Sequence, residues 1–158
     1  MTRVLIVLIV LFISSCKKEK PAAVKTSNNG SLAYASTMLA KINGVGFEVP
    51  QDGFTIGKSS LFSFKGQTSL SEPYSAISFS MALNTTTGVS TFNQTTFIGT
   101  LRDSLGITFA AKSGTINITA IDTFGYGIKK LKANFSFLTD TVGGKTYNVS
   151  NGAIDFKL

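Results

Sequence analysis

From position 37 onward, apolar and polar residues alternate with the period of a β-strand. Successive strand side chains point to opposite faces, so this alternation marks a strand with one buried face. Ile77, Phe79, Met81 and Leu83 alternate with Ser78, Ser80 and Ala82. Ile116, Ile118 and Ala120 alternate with Thr115, Asn117 and Thr119. Leu131, Ala133, Phe135 and Phe137 alternate with Lys132, Asn134 and Ser136. Ile154, Phe156 and Leu158 stand opposite Asp155 and Lys157, and the pairs Phe62/Phe64 and Ile107/Phe109 are shorter cases. One apolar face per strand indicates antiparallel sheets covered on one side.

Turn residues punctuate the alternation. Asn43-Gly44 separates KI from VGFEV, and such a pair accepts the positive φ angles of a tight hairpin. Asp52-Gly53, Lys65-Gly66, Ser113-Gly114, Gly143-Gly144 and Asn151-Gly152 read as later turns. No stretch carries a helical stripe of useful length; positions 97–105 contain Gly99 and are read as strand or irregular. The pattern predicts a single all-β domain over 36–158, an antiparallel β-sandwich or flattened barrel of about eight to ten short strands. Thirteen phenylalanines and no tryptophan suit a phenylalanine-rich core between facing sheets.

The start of the chain follows a different rule. Arg3 precedes an unbroken apolar run at 4–13, then Ser14, Ser15, Cys16 and lysines. A membrane-spanning helix needs about 20 apolar residues, and this run supplies half. A basic n-region, a short apolar core and small residues before the cut define a secretory signal. An ordinary signal would leave Cys16, the single cysteine, as a stray thiol outside the cytoplasm. The stretch Ile13-Ser14-Ser15-Cys16 instead matches a bacterial lipobox, with cleavage between Ser15 and Cys16 and lipid on the Cys16 thiol. Residues 1–15 are then a cleaved signal, and 16–35 a lipidated cysteine with a flexible tether. Two or more acyl chains, as bacterial lipoproteins carry, give stable anchoring where one gives only marginal binding. The tether KKEKPAAVKTSNNGSLAYA shows no sustained apolar period and as coil spans roughly 25 Å.

Cleavage leaves 143 residues, with fourteen basic and eight acidic side chains. Lys17, Lys18 and Lys20 adjoin the lipid, where each contributes about 1 kcal/mol near anionic headgroups. Proteins of Bacteroidota bound for the cell surface often carry an acidic run after the cysteine. The basic run here points to an outer-membrane anchor facing the periplasm, with surface exposure as the alternative.

Candidate chemistry is sparse. The chain has no histidine, which removes imidazole bases, His-based triads and imidazole metal sites. Lipid on the only cysteine removes thiolate chemistry and zinc–thiolate sites. GFTIGKS at 53–59 has three residues between its glycines where a phosphate loop needs four, and Gly144-Lys145-Thr146 lacks the leading glycine; both read as turns between strands. The acids are scattered, without the Asp-x-Asp spacing of a calcium loop, so neither a cofactor nor an enzymatic activity is expected. Lys129, Lys130 and Lys132, near Tyr126, form a candidate anion patch or a charged guard on a sheet edge. No nucleic-acid partner is expected. Asp103-Ser104-Leu105 and Asp140-Thr141-Val142 match the Asp-Ser/Thr-apolar signal for O-glycosylation in Bacteroidota, making Ser104 and Thr141 candidate acceptors.

MLAKINGVGFEV at 38–49, SGTINITAIDTF at 113–124 and LKANFSFLTDTVGGKTYNVSNGAIDFKL at 131–158 together resemble a set of small Bacteroidota lipoproteins grouped as a domain of unknown function. The resemblance covers less than half of the chain and rests on hairpin motifs. It implies an all-β envelope lipoprotein and supplies no functional residues. The expected role is a lipid-anchored, non-catalytic binding or interaction module with an envelope protein or glycan as partner. The alternatives are a structural accessory of an envelope complex, or a carrier of a small hydrophobic ligand if the barrel is open.

Overall fold

The computed structural model describes residues 36–125 and 127–158, all in strands, turns and loops without a helix. Ten strands follow in order: β1 (Thr37–Ile42), β2 (Val45–Val49), β3 (Phe54–Lys58), β4 (Leu61–Gln67), β5 (Ala76–Ala82), β6 (Gly88–Thr91), β7 (Phe97–Arg102), β8 (Thr108–Phe124), β9 (Gly127–Thr139) and β10 (Asn148–Lys157). They form one antiparallel sheet in the order β2-β1-β10-β9-β8-β7-β5-β4-β3, with β6 on β8. The sheet folds over so that its two halves face each other, giving a nearly closed, barrel-like sandwich. The all-β antiparallel expectation holds, including the absence of helix at 97–105, where β7 runs.

The fold turns over through β8. Its first residues pair with β7, Thr108 opposite Arg102 and Ala110 opposite Thr100. From Ala111 onward its other edge pairs with β9, while Thr115 to Ile118 take β6 on the edge that β7 has left. Ala111 opposes Thr139 and Ser113 opposes Leu138, so Lys112 is one residue too many. Such a bulge bends a strand and increases its twist. Gly114 follows at φ +139°, where any Cβ would overlap the Ser136 carbonyl. β10 bulges likewise at Asn151-Gly152, against both β9 and β1, and the Phe135 ring occupies the space that a side chain on Gly152 would need.

These bulges correct the sequence reading. Ser113-Gly114, Asn151-Gly152 and Lys65-Gly66 lie inside strands rather than at turns. Glycine within a strand marks a bulge or a close approach, and Met38 and Val49 press on Gly66. The strand carrying Gly114 is therefore 17 residues long and β9 is 13, longer than the short strands expected. GFTIGKS is also mostly strand, as β3. Asn43-Gly44 does form the β1–β2 hairpin turn, with φ +50° and +83°.

Alternation places most of the core as expected; Ala120 is the exception within β8, because a bulge at Thr119 sets it opposite outward-facing Lys132. Ile77, Phe79, Met81, Ile116, Ile118, Leu131, Ala133, Phe135, Phe137, Ile154 and Phe156 are all buried. Leu83, Ile107 and Leu158 are exposed because each stands beyond the end of its strand. The interior is filled by phenylalanine rings. Phe79 meets Phe135 edge-on at 4.9 Å and Phe92 in a stack at 5.9 Å. Phe54 and Phe64, from one half of the sheet, meet Phe156 of the other at 5.6 and 5.1 Å. Rings at these separations gain edge and offset contacts beyond their buried area.

Candidate functional site

Ser15, Cys16 and Tyr126 lie outside the described residues. Ser104 and Thr141 are exposed, in the β7–β8 and β9–β10 turns respectively. Asp103 ties the two turns together. Its Oδ1 accepts the Leu105 and Ile107 amides at 3.0 Å each, which shapes the β7–β8 turn, and its Oδ2 accepts the Tyr147 hydroxyl at 3.3 Å. The Tyr147 ring stands edge-on to Phe109 at 4.8 Å. Asp103 is the buried member of the first glycosylation signal and acts as a turn cap. In the second, the Thr141 hydroxyl shares a 2.7 Å hydrogen bond with that of Thr146.

Burial raises the Tyr147 pKa, and the nearby Asp103 charge and their hydrogen bond raise it further. An unfolded tyrosine ionises near pH 10. The folded domain holds this proton more tightly, so the stability it contributes is complete below pH 10 and is lost as pH rises through the folded value. Urea midpoints measured from pH 8 to 11.5 should fall more steeply above pH 10 in the wild type than in Tyr147→Phe. Parallel curves would refute this.

Other polar clusters are structural in geometry. Arg102 grips Glu72 through two hydrogen bonds, at 2.5 and 3.2 Å, and lies over the Tyr74 ring at 4.2 Å. The Glu72 hydrogen bond raises the Arg102 pKa, against the opposing effect of burial. Asp155 is paired with Lys132 at 2.7 Å, and Asp140 accepts from Gln94. Among the described residues no group of three His, Cys, Asp or Glu side chains converges as a metal site.

Two hollows of contrasting chemistry open on the surface of the described residues. The first is a hollow of about 400 Å³ on the outward face of β8, β9 and β10. Thr115 stands opposite Ser136 and Asn117 opposite Asn134, with the bulged Asn151 beside them. All five side chains are exposed, uncharged and without a hydrogen-bond partner among the described residues. Exposed Val89 of β6, opposite Asn117, flanks this amide shelf. No family model, curated protein or solved structure matches the chain. The shelf escaped the sequence reading because its members lie on three strands; pairing the outward positions of 115–119 with those of 132–136 was the available signal.

The second surface is an apolar cavity of about 330 Å³ lined by Ile56, Phe124, Gly127, Ile128, Lys129 and Leu158. It forms where β3 approaches the β8–β9 hairpin, and the Lys58 Nζ donates to the Gly125 carbonyl of that hairpin at 3.0 Å. The predicted lysine patch divides here. Asp122 opposes Lys130 while Thr123 opposes Ile128, so Lys129 is a bulged residue facing the cavity. Lys130 stands between Asp122 and Lys157 on the neighbouring strands, and Lys132 is held by Asp155.

Proposed function

We propose that this chain is a lipid-anchored, non-catalytic binding module of the bacterial cell envelope that receives a neutral glycan on the amide shelf. The observation that carries this reading is the row of five unpartnered hydroxyl and amide side chains in one shallow hollow. Amides supply two donors and an acceptor function at a fixed spacing, which suits vicinal sugar hydroxyls. The shelf carries no formal charge, so it favours neutral over acidic sugars. The lipobox-like segment ending at Cys16 supports the anchor, and the basic run after it supports a periplasm-facing position at the outer membrane. The phenylalanine-filled interior gives no support to carriage of a ligand inside the barrel.

Titration calorimetry of the purified chain against neutral envelope oligosaccharides tests the reading. Each hydrogen bond is worth about 0.5–1.5 kcal/mol net, so Asn117→Ala and Asn134→Ala should each weaken binding several-fold while Ser104→Ala leaves it unchanged. Unaltered affinity in both asparagine variants, or no binding at all, rejects the shelf. The anchor is tested separately: Cys16→Ser should abolish acyl labelling and release the chain from membranes.

A further inference from the structure

We infer that the β8–β9 turn end of the barrel is a docking face that lies on an anionic lipid surface. The inference takes its tether from the proposed lipid at Cys16, and it rests on exposed apolar surface, on charge and on where the chain enters the fold.

The first is exposed apolar surface. Phe124 and Leu158 are 75% and 70% exposed, yet both line the same apolar cavity together with Ile56 and Ile128. Large apolar side chains clustered around a hollow and rimmed by charge mark an interaction site rather than ordinary surface. The second is charge. Lys58 reaches the β8–β9 turn through Gly125, Lys129 lines the cavity, and Lys130 and Lys157 stand side by side on β9 and β10. Asp122 stands opposite Lys130 on the paired strand. Apolar side chains that enter the acyl boundary beneath lysines that meet the headgroups are the arrangement of an interfacial binding surface.

The third observation is where the chain enters the fold. Ser36, the first described residue, is locked to Lys157 by reciprocal hydrogen bonds, its hydroxyl donating to the Lys157 carbonyl at 3.0 Å and accepting the Lys157 amide at 3.2 Å. The next amide, of Leu158, donates to the Lys129 carbonyl at 2.9 Å. The segment that follows Cys16 therefore joins the domain at the lysine-rimmed end. The β7–β8 turn with Leu105 is fastened by Asp103 to Tyr147, beyond the far end of β9. Thirteen strand residues at ~3.3 Å each put that turn roughly 40 Å away.

The lipidated chain, reconstituted into phosphatidylethanolamine/phosphatidylglycerol vesicles, gives the test. Phe124→Cys, Leu158→Cys and Leu105→Cys each receive an environment-sensitive fluorophore, with nitroxide lipids as quenchers and circular dichroism as the check on folding. Positions 124 and 158 should be quenched and 105 should not. Lys129→Glu with Lys130→Glu should weaken docking by more than about tenfold, from ~1 kcal/mol per basic residue. Equal quenching at all three positions, none at 124 and 158, or the same quenching in phosphatidylcholine alone overturns the inference. So does a fluorophore response to a monomeric anionic detergent without any response to vesicles, which assigns the cavity to a free amphiphile. Intact mass reports separately whether Cys16 carries lipid. If it does not, the anchor reading fails, and the labelled chain added to the same vesicles still decides the face: quenching at 124 and 158 sustains it, and none rejects it.

Discussion

Truncating Phe79 to alanine should lower the unfolding free energy by about 3–5 kcal/mol, the range for removing a buried aromatic ring. Phe79 is fully buried on β5, where its ring joins Phe92 from one direction and Phe135 from another. Removing it leaves a void between facing sheet halves that cannot collapse without moving β9. Domains of this size have about 5–15 kcal/mol in total, so the variant should sit near the edge of folding at 37 °C. Leu83→Ala provides the contrast: Leu83 is exposed beyond the end of β5, and its loss should stay within about 0.5 kcal/mol. Urea denaturation of the three proteins reads both values. A Phe79→Ala midpoint within error of wild type would show that the ring cluster does not bear on stability.

Gly114→Val should be comparably damaging for a different reason. Its φ of +139° lies where side chains are strained, and its Cβ would overlap the Ser136 carbonyl and Phe137 on the adjacent strand. Backbone strain of about 1–3 kcal/mol adds to an overpacking cost of about 1–3 kcal/mol. Gly44→Ala separates these contributions, since Gly44 also has positive φ but faces open space; it should lose only the strain. Gly114 immediately precedes the stretch of β8 that holds β6, and its carbonyl accepts the Phe92 amide just after β6. Amide exchange in Gly114→Val should therefore speed up first along β6 and at Phe92. Uniform protection across β6 would refute the bend as the weak point.

Alternation along the chain assigned most inward residues, because a period of two places every second side chain on one face, but it missed at strand ends (Leu83, Ile107, Leu158) and at Ala120, where a bulge resets the period. It could not decide what a glycine does. Asn43-Gly44 and Asn151-Gly152 are the same dipeptide, yet the first turns the chain between β1 and β2 while the second bulges β10. The difference lies in Phe135, which claims the space beside Gly152 from a strand 17 residues away in sequence. The settings of the three lysines were hidden for a similar reason: the bulge at Lys129 and the Asp155 partner of Lys132 depend on register between strands. Register also creates the amide shelf, whose asparagines come from β8, β9 and the bulge in β10. Local pattern carried the elements, and long-range pairing carried the surfaces.

The pairing of β1 with β10 has a consequence for how the domain is made. Thr37 stands opposite Asp155, and the β1–β2 hairpin reaches the rest of the sheet through β10. A pairing so distant in sequence is slow to form, because the loop between its partners must close before any contact rewards it. As the chain emerges from the ribosome, the β1–β2 hairpin waits for the last strand while Met38 and Phe47 lack their cover. The β1–β2 hairpin therefore stays undocked until residue 157 has been made, however early β3 to β9 pair among themselves.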